Sequence, residues 1–119
     1  MLQLAKLDVQ LNGDFDQILV DLDKEILSES VSAHLEGSSD FHLGDTRCSV
    51  RVYERYSYLG QNRVSMNITL FQSHEDILLS IISSGGSQAV FFKINTFGEE
   101  YFLDTIRPLL KRYDAVEIS

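Results

Sequence analysis

Two neighbouring runs of alternating apolar and polar residues constrain this fold more than any other feature of the sequence. Apolar side chains occupy most even positions from Cys48 to Tyr58 and all even positions from Val64 to Leu70. A two-residue period is typical of β-strands, whose side chains point alternately to the two faces of a sheet. Gly60–Asn62 between them supplies residues that tolerate positive φ. The sequence therefore predicts an antiparallel hairpin over residues 46–72, closed by this three-residue loop.

The hairpin register follows from keeping the apolar positions on one face. That register pairs Val52 with Leu70 and Tyr56 with Met66, because a slip of one residue would turn the second strand's apolar set towards water. It predicts an apolar face packed under helices. It also places Glu54 on that face, where either a β-bulge lets the carboxylate reach water or the carboxylate is half-buried in a cavity with a raised pKa.

The polar face of the hairpin carries most of the candidate binding residues. This face also holds Arg47, and in the same register Arg51 faces Phe71 and Arg55 faces Asn67. Arginine beside aromatic residues is enriched at interfaces and in anion recognition. Three interpretations remain open for this face: a solvated surface, a self-association surface and a site for an anionic ligand. The candidate ligand or interface residues are Arg51, Tyr53, Arg55, Asn67, Phe71, Glu54 and Tyr56.

The rest of the chain supplies two amphipathic helices and further strands. The spacing of apolar residues predicts strands over 5–11, 31–35, 77–82 and optionally 89–94, and helices over 15–27 and 97–113. Asp14 followed by Gln17 is a capping-box pattern, which predicts that the first helix begins after Asp14. Residues 37–45 are predicted to be a loop or a wide hairpin connection. The order β-α-β-β-β-β-(β)-α predicts a two-layer α+β domain, an antiparallel sheet of five to six strands with both helices on one face. We expect residues 1–113 to form one domain and residues 114–119 to be a C-terminal tail.

Charge and cysteine content restrict the partners and the compartment. The formal net charge of −8 argues against a nucleic-acid or anionic-membrane partner, which would require clustered Lys and Arg. Cys48 is the single cysteine, so no internal disulfide forms, and its position on an apolar strand face favours a small buried hydrophobe. No apolar run resembles a signal peptide or a membrane span. We therefore expect a cytoplasmic protein.

Residues that could carry chemistry are scattered. The histidines at 34, 42 and 74 lack the spacing of a zinc or calcium site, and no nucleophile-base-acid arrangement can be identified. The sequence therefore predicts no catalytic residues, no metal and no cofactor. An enzyme that uses Glu54 or His34 is the least favoured of the functional hypotheses.

The segment SGGSQAVFFKINTFGEEY, residues 84–101, with the short strands before it, resembles a family of small bacterial proteins of unknown function. The resemblance covers most of the chain. It implies a bacterial, cytoplasmic, single-domain protein, and the family has no assigned activity that could be transferred.

The leading hypothesis is a non-enzymatic self-associating or protein-interaction module, most simply a homodimer. Its basis is the strand from Ile77 to Ile82, which is apolar on both sides, together with the Arg/Tyr/Phe face of the hairpin. The alternative is a small-molecule or anion-binding module. Its pocket, between helix and sheet, would be lined by Tyr56, Tyr58, Met66 and Glu54.

Overall fold

A computed structural model of the protein describes residues 4–28, 32–57, 62–85 and 106–118, which form six antiparallel strands and two helices. The elements in chain order are β1 (Leu4–Leu11), α1 (Phe15–Ser28), β2 (His34–Leu43), β3 (Thr46–Ser57), β4 (Asn62–Ser73), β5 (Asp76–Gly85), α2 (residues 106–112) and β6 (Val116–Glu117). The strand order in the sheet is β2-β3-β4-β5-β1-β6. The predicted α+β class and element order are confirmed. The optional strand over 89–94 and the start of the second predicted helix lie outside the described residues.

Both helices pack on the same side of the sheet, which we call the covered face. The apolar stripes of α1 and α2 are buried against alternate positions of β1, β4 and β5, as the period of 3.6 residues in a helix and of two in a strand requires. The opposite side of the sheet, where neither helix lies, is the open face. The buried side chains of the covered face include Phe15, Ile18, Leu22 and Ile26 of α1, Ile106, Leu109 and Leu110 of α2, and Leu7, Val9, Ile68, Leu70, Ile77, Leu79 and Ile81 of the strands.

The turn between β1 and α1 contacts the end of α2. Asp14 caps α1 as its sequence position predicts, because its Oδ2 accepts a hydrogen bond of 3.0 Å from the Gln17 amide. The Asn12 amide donates to the Tyr113 carbonyl at 2.8 Å. Gly13 lies so close to the Tyr113 ring that an added Cβ would come within 2.7 Å of it. The end of α2 is therefore fixed against the start of α1.

The structure corrects the prediction for residues 37–45. β2 runs from His34 to Leu43 and pairs with β3 along its length, so the predicted loop is mostly strand. The turn is confined to Gly44 and Asp45, with Gly44 at φ of 59°, a left-handed conformation that glycine adopts at little cost. The polar composition of β2 misled the prediction because this edge strand is exposed along its whole length.

The structure also corrects the hairpin register. Tyr53, not Tyr56, lies opposite Met66, and Val52 lies opposite Asn67. The register differs from the predicted one by an odd number of residues, which exchanges the two faces of β3 relative to β4. Val52 therefore lies on the open face, whereas Met66 lies under the helices as predicted. The predicted loop, 60–62, lies mostly outside the described residues.

Part of the predicted C-terminal tail belongs to the sheet. Val116 and Glu117 form β6 and pair with β1 opposite Gln10 and Val9. The Ile118 amide donates to the Asp8 carbonyl at 3.1 Å, which extends this contact. Within the described residues, neither helix combines the length and the apolar character needed to cross a bilayer.

Candidate functional site: the open face of the sheet

The open face carries a block of twelve neighbouring positions that contains no charged residue. Residues directly opposite each other in adjacent antiparallel strands share a face, so the pairing of β2 to β5 defines three rows across the sheet. In a chain of which 24% is charged, this uncharged block is a distinct surface. The rows are Phe41, Cys48, Phe71 and Leu78; Ser39, Val50, Thr69 and Ser80; and Gly37, Val52, Asn67 and Ile82.

Large apolar side chains in the uncharged block are accessible to solvent. Phe41 is 63% exposed, Phe71 36% and Ile82 37%. The first row continues through Gln10 on β1 to Val116 on β6, so this surface extends across the sheet. Within the first row Phe41, Cys48, Phe71 and Leu78 are neighbours, and exposed apolar surface of this kind is typical of interaction sites.

Charged residues of the open face lie around the uncharged block. At one end the Arg63 Nη2 is 3.0 Å from the Glu54 Oε1. On β1 the Lys6 ammonium is 3.4 Å from the Asp8 carboxylate. An uncharged centre with a charged rim is the usual composition of a protein interface.

Arg47, which was predicted to lie on a wet face, lies instead on the covered face beside α1. It donates two hydrogen bonds to Asp16 of α1, at 2.8 and 3.2 Å. Its guanidinium also lies 4.1 Å from the centre of the Phe15 ring. The hydrogen bond from Arg47 holds the pKa of Asp16 below its usual value. The positive charge of this arginine is therefore paired with a carboxylate of α1.

Tyr53 and Arg51 are also engaged by acidic groups. The Tyr53 hydroxyl donates to the Asp23 Oδ1 of α1 at 2.7 Å, and burial, followed by this bond, raises the pKa of Tyr53. The Arg51 Nη1 is 3.2 Å from the Asp40 Oδ1 of β2. A hydrogen bond from Ser49 and the charge of Arg51 lower the pKa of Asp40. Because acidic groups already bind both side chains, an anionic ligand would have to displace them.

The candidate residues from the sequence fall into two separate groups. Arg51, Tyr53 and Arg55 lie on the covered face, and Arg55 is buried. Asn67 and Phe71 lie on the open face, opposite Val52 and Cys48. The expected pairs of arginine with Phe71 and Asn67 are therefore wrong, because the register shift moved the two strands' polar positions to opposite sides of the sheet.

The residues expected to line a pocket between helix and sheet are also split between the two faces. Met66 is buried on the covered face, whereas Glu54 and Tyr56 lie on the open face. Tyr58 lies outside the described residues. The described residues that were expected to line one cavity therefore do not meet.

A second cluster forms at the rim of the open face, where β2 and β3 meet. His34 lies opposite Glu54 in the strand pairing, and ligand atoms of His34, Glu36 and Glu54 all lie within 4.8 Å of one another. The His34 Nε2 is 2.6 Å from the Glu36 Oε2, and its Nδ1 is 3.0 Å from the Ser32 carbonyl oxygen. The Ser32 carbonyl and then the Glu36 carboxylate raise the pKa of His34.

Sequence reasoning missed this cluster for a specific reason. His34 and Glu36 are two residues apart, which puts an imidazole and a carboxylate on one side of a strand. This part of the cluster could have been identified from the sequence. The third member, Glu54, joins them only through the pairing of β2 with β3. Such a long-range register cannot be obtained from local periodicity.

Comparison with known proteins gives a family and no activity. The model of a family of unknown function, DUF6054, matches residues 4–114. No curated protein matches the chain. A crystal structure of a protein of unknown function from Pseudomonas aeruginosa is 8% identical, with a TM-score of 0.49, over 94% of this chain and 78% of that one. A likeness at this level carries no functional inference.

Proposed function

We propose that this chain, which belongs to the DUF6054 family of unknown function, self-associates through the open face of its sheet. The observation that carries the proposal is the uncharged block of twelve positions across β2 to β5. Both described helices pack on the other face, so neither of them covers this block.

The dimensions of the face suit a dimer. The uncharged block alone, four strands about 4.8 Å apart and three rows about 6.8 Å apart, covers a flat area of roughly 390 Å². With its charged rim, counted as a fifth strand and a fourth row, the face covers roughly 650 Å². Side-chain relief makes the accessible area larger than the flat one, so the face approaches the roughly 800 Å² that one partner contributes to an interface of standard size. Two sheets can stack face to face about 10 Å apart with their side chains interdigitated.

The composition favours a second copy as the occupant. Along the open face of β2 the large side chain of Phe41 is followed by the small residues Ser39 and Gly37, so the surface can interdigitate with itself about a two-fold axis. The net charge of −8 would oppose association through a charged surface. An interface centred on uncharged positions keeps the acidic groups of the two copies at its rim.

Light scattering coupled to size exclusion tests the proposal. At micromolar concentration we expect a mass twice the 13.5 kDa of one chain. Phe41→Lys and Phe71→Lys should each return the mass to that of a monomer, because a buried unpaired ammonium is costly at an interface. Phe41→Lys lies on the exposed edge strand, so it should fold even where Phe71→Lys does not.

Val20→Lys is the matched control, since Val20 is an exposed apolar residue of α1 away from the open face. It should leave the dimer intact. A monomeric wild type at high micromolar concentration, or dimers that survive both Phe41→Lys and Phe71→Lys in folded protein, would contradict the proposal.

A further inference from the structure

Three side chains at the rim of the open face combine one imidazole with two carboxylates. His34 and Glu36 are 47% and 43% exposed and Glu54 is 22% exposed, so the group opens to solvent. In a tetrahedral metal site with bonds of about 2.1 Å, neighbouring ligand atoms lie roughly 3.4 Å apart. The present ligand atoms, all within 4.8 Å of each other, can reach that spacing by small rotations of the side chains.

An irregularity in the edge strand places the three residues together. The pairing of β2 with β3 shifts between Leu35 and Gly37, which leaves Glu36 without a directly opposite residue in β3. Bulges of this kind re-aim side chains and are common near functional sites. Here the bulge lies beside the His34–Glu54 pair.

The contact to Ser32 fixes the orientation of the His34 ring. Because a carbonyl oxygen only accepts hydrogen bonds, the His34 Nδ1 carries a proton in this contact. With Nδ1 donating to Ser32, Nε2 is the ring atom that would bind a metal ion, and it already faces the Glu36 Oε2 at 2.6 Å. Metal-binding histidines are commonly held by such a hydrogen bond from the second ring nitrogen.

We propose that His34, Glu36 and Glu54 bind a first-row divalent transition-metal ion, with Zn²⁺ as the ion to test. The two carboxylates match the charge of the ion, and the imidazole favours Zn²⁺ over Mg²⁺ or Ca²⁺, which prefer oxygen ligands alone. Three protein ligands leave a coordination position for water. The Arg63 guanidinium, 3.0 Å from Glu54, competes for that carboxylate, so we expect an affinity in the micromolar range.

Titration calorimetry of the full chain, freed of metal by a chelator, tests the site with ZnCl₂ and, for comparison, MgCl₂. We expect one Zn²⁺ per chain, accompanied by a rise in the unfolding temperature, and much weaker Mg²⁺ binding. His34→Ala and Glu54→Gln should each weaken Zn²⁺ binding by at least about tenfold. Glu54→Gln is the sharper variant because it leaves the His34–Glu36 contact in place.

His74→Ala is the matched control. His74 also lies near a carboxylate, 3.8 Å from Asp45, and is more exposed than His34. It should leave the affinity unchanged, and Phe41→Lys should also bind Zn²⁺, which separates this site from the self-association surface. Absence of Zn²⁺ binding, equal affinity for Mg²⁺, or equal loss in His74→Ala and Glu54→Gln would overturn the proposal.

Discussion

The covered face has two halves, with β4, β5 and β1 in one and β2 and β3 in the other. The two halves hold the helices by different interactions. One row of the sheet crosses both halves and reads Ser38, Arg51, Ile68, Ile81 and Leu7 from β2 to β1. On β4, β5 and β1 the row is apolar and buried beneath the helices. On β2 and β3 it is polar, and its arginine forms an ion pair with a neighbouring strand.

The difference reflects the width of α1. Its apolar stripe covers β4, while Asp16 and Asp23 on its flank reach Arg47 and Tyr53 of β3. A polar position in a strand can therefore lie beneath the edge of a helix and not in water. We expect burial in the apolar half to contribute more to the free energy of unfolding than the paired polar groups in the other half. Three substitutions measure that difference.

The largest effect is expected in the apolar half. Ile68→Ala should lower the free energy of unfolding by about 2–5 kcal/mol, since Ile68 is 1% exposed and its truncation leaves a cavity. Urea unfolding followed by circular dichroism measures it, in the Phe41→Lys background so that dimer contacts do not contribute. Ile82→Ala makes the same truncation on the open face and should cost less than half as much. Equal losses would show that the open face is buried as deeply as the core.

An intermediate effect is expected where the two halves meet. Tyr53→Phe removes the hydroxyl that donates to Asp23 and should cost about 1–2 kcal/mol, because a partly buried carboxylate loses its donor. The same unfolding measurement applies. Tyr56→Phe, at an exposed tyrosine of the same strand, should change stability by less than about 0.5 kcal/mol. A neutral Tyr53→Phe would mean that water replaces the hydroxyl.

The smallest effect is expected at the outer edge of the polar half. The folded state lowers the pKa of Asp16, so its contribution is present above the unfolded value of 3.8 and is lost as the pH falls through the folded value. Asp16→Asn should remove about 0.2–1 kcal/mol at neutral pH, as for other exposed pairs, and flatten the acid decline in stability.

Urea midpoints of unfolding, measured at pH values from about 6 to 3 so that they span the usual carboxyl pKa values, check this dependence. Asp45→Asn is the control, because the ion pair that the structure describes for Asp45 is longer, 3.8 Å to the exposed His74. An Asp16→Asn variant with the same acid slope as the wild type would show that the Arg47 contact adds nothing to stability.

The sequence predicted the elements better than their pairing. Local periodicity and the Asp14 cap identified the first strand and α1, and the alternation in residues 46–72 identified the central hairpin. The same reasoning failed for the faces of β3, because the alternation assigned Val50 and Val52 to the core and Arg47 to the surface. The acidic flank of α1 reverses that assignment, and only the tertiary structure shows it.

The candidate sites were predictable only in part. The outward apolar side chains of β5, Leu78 and Ile82, were visible as a run without alternation. The row that joins Leu78 to Phe71 and Phe41 depends on the registers of three strand pairs. The His34 cluster depends on one such register and on a bulge, for which the local sequence gives no clear signal.

The place of β1 in the sheet has a consequence for synthesis of the chain. Leu4 pairs with Ser84 and Leu11 with Ile77, so β1 leaves the ribosome well before its main partner has been made. At about 5–20 residues per second this interval lasts several seconds. The apolar residues Leu7 and Val9 of β1 lie beside Leu110 of α2, which is synthesised later still. Of the described elements that bury apolar residues in the core, α1 is the first to be made after β1, so it is the first that can cover the apolar side of β1.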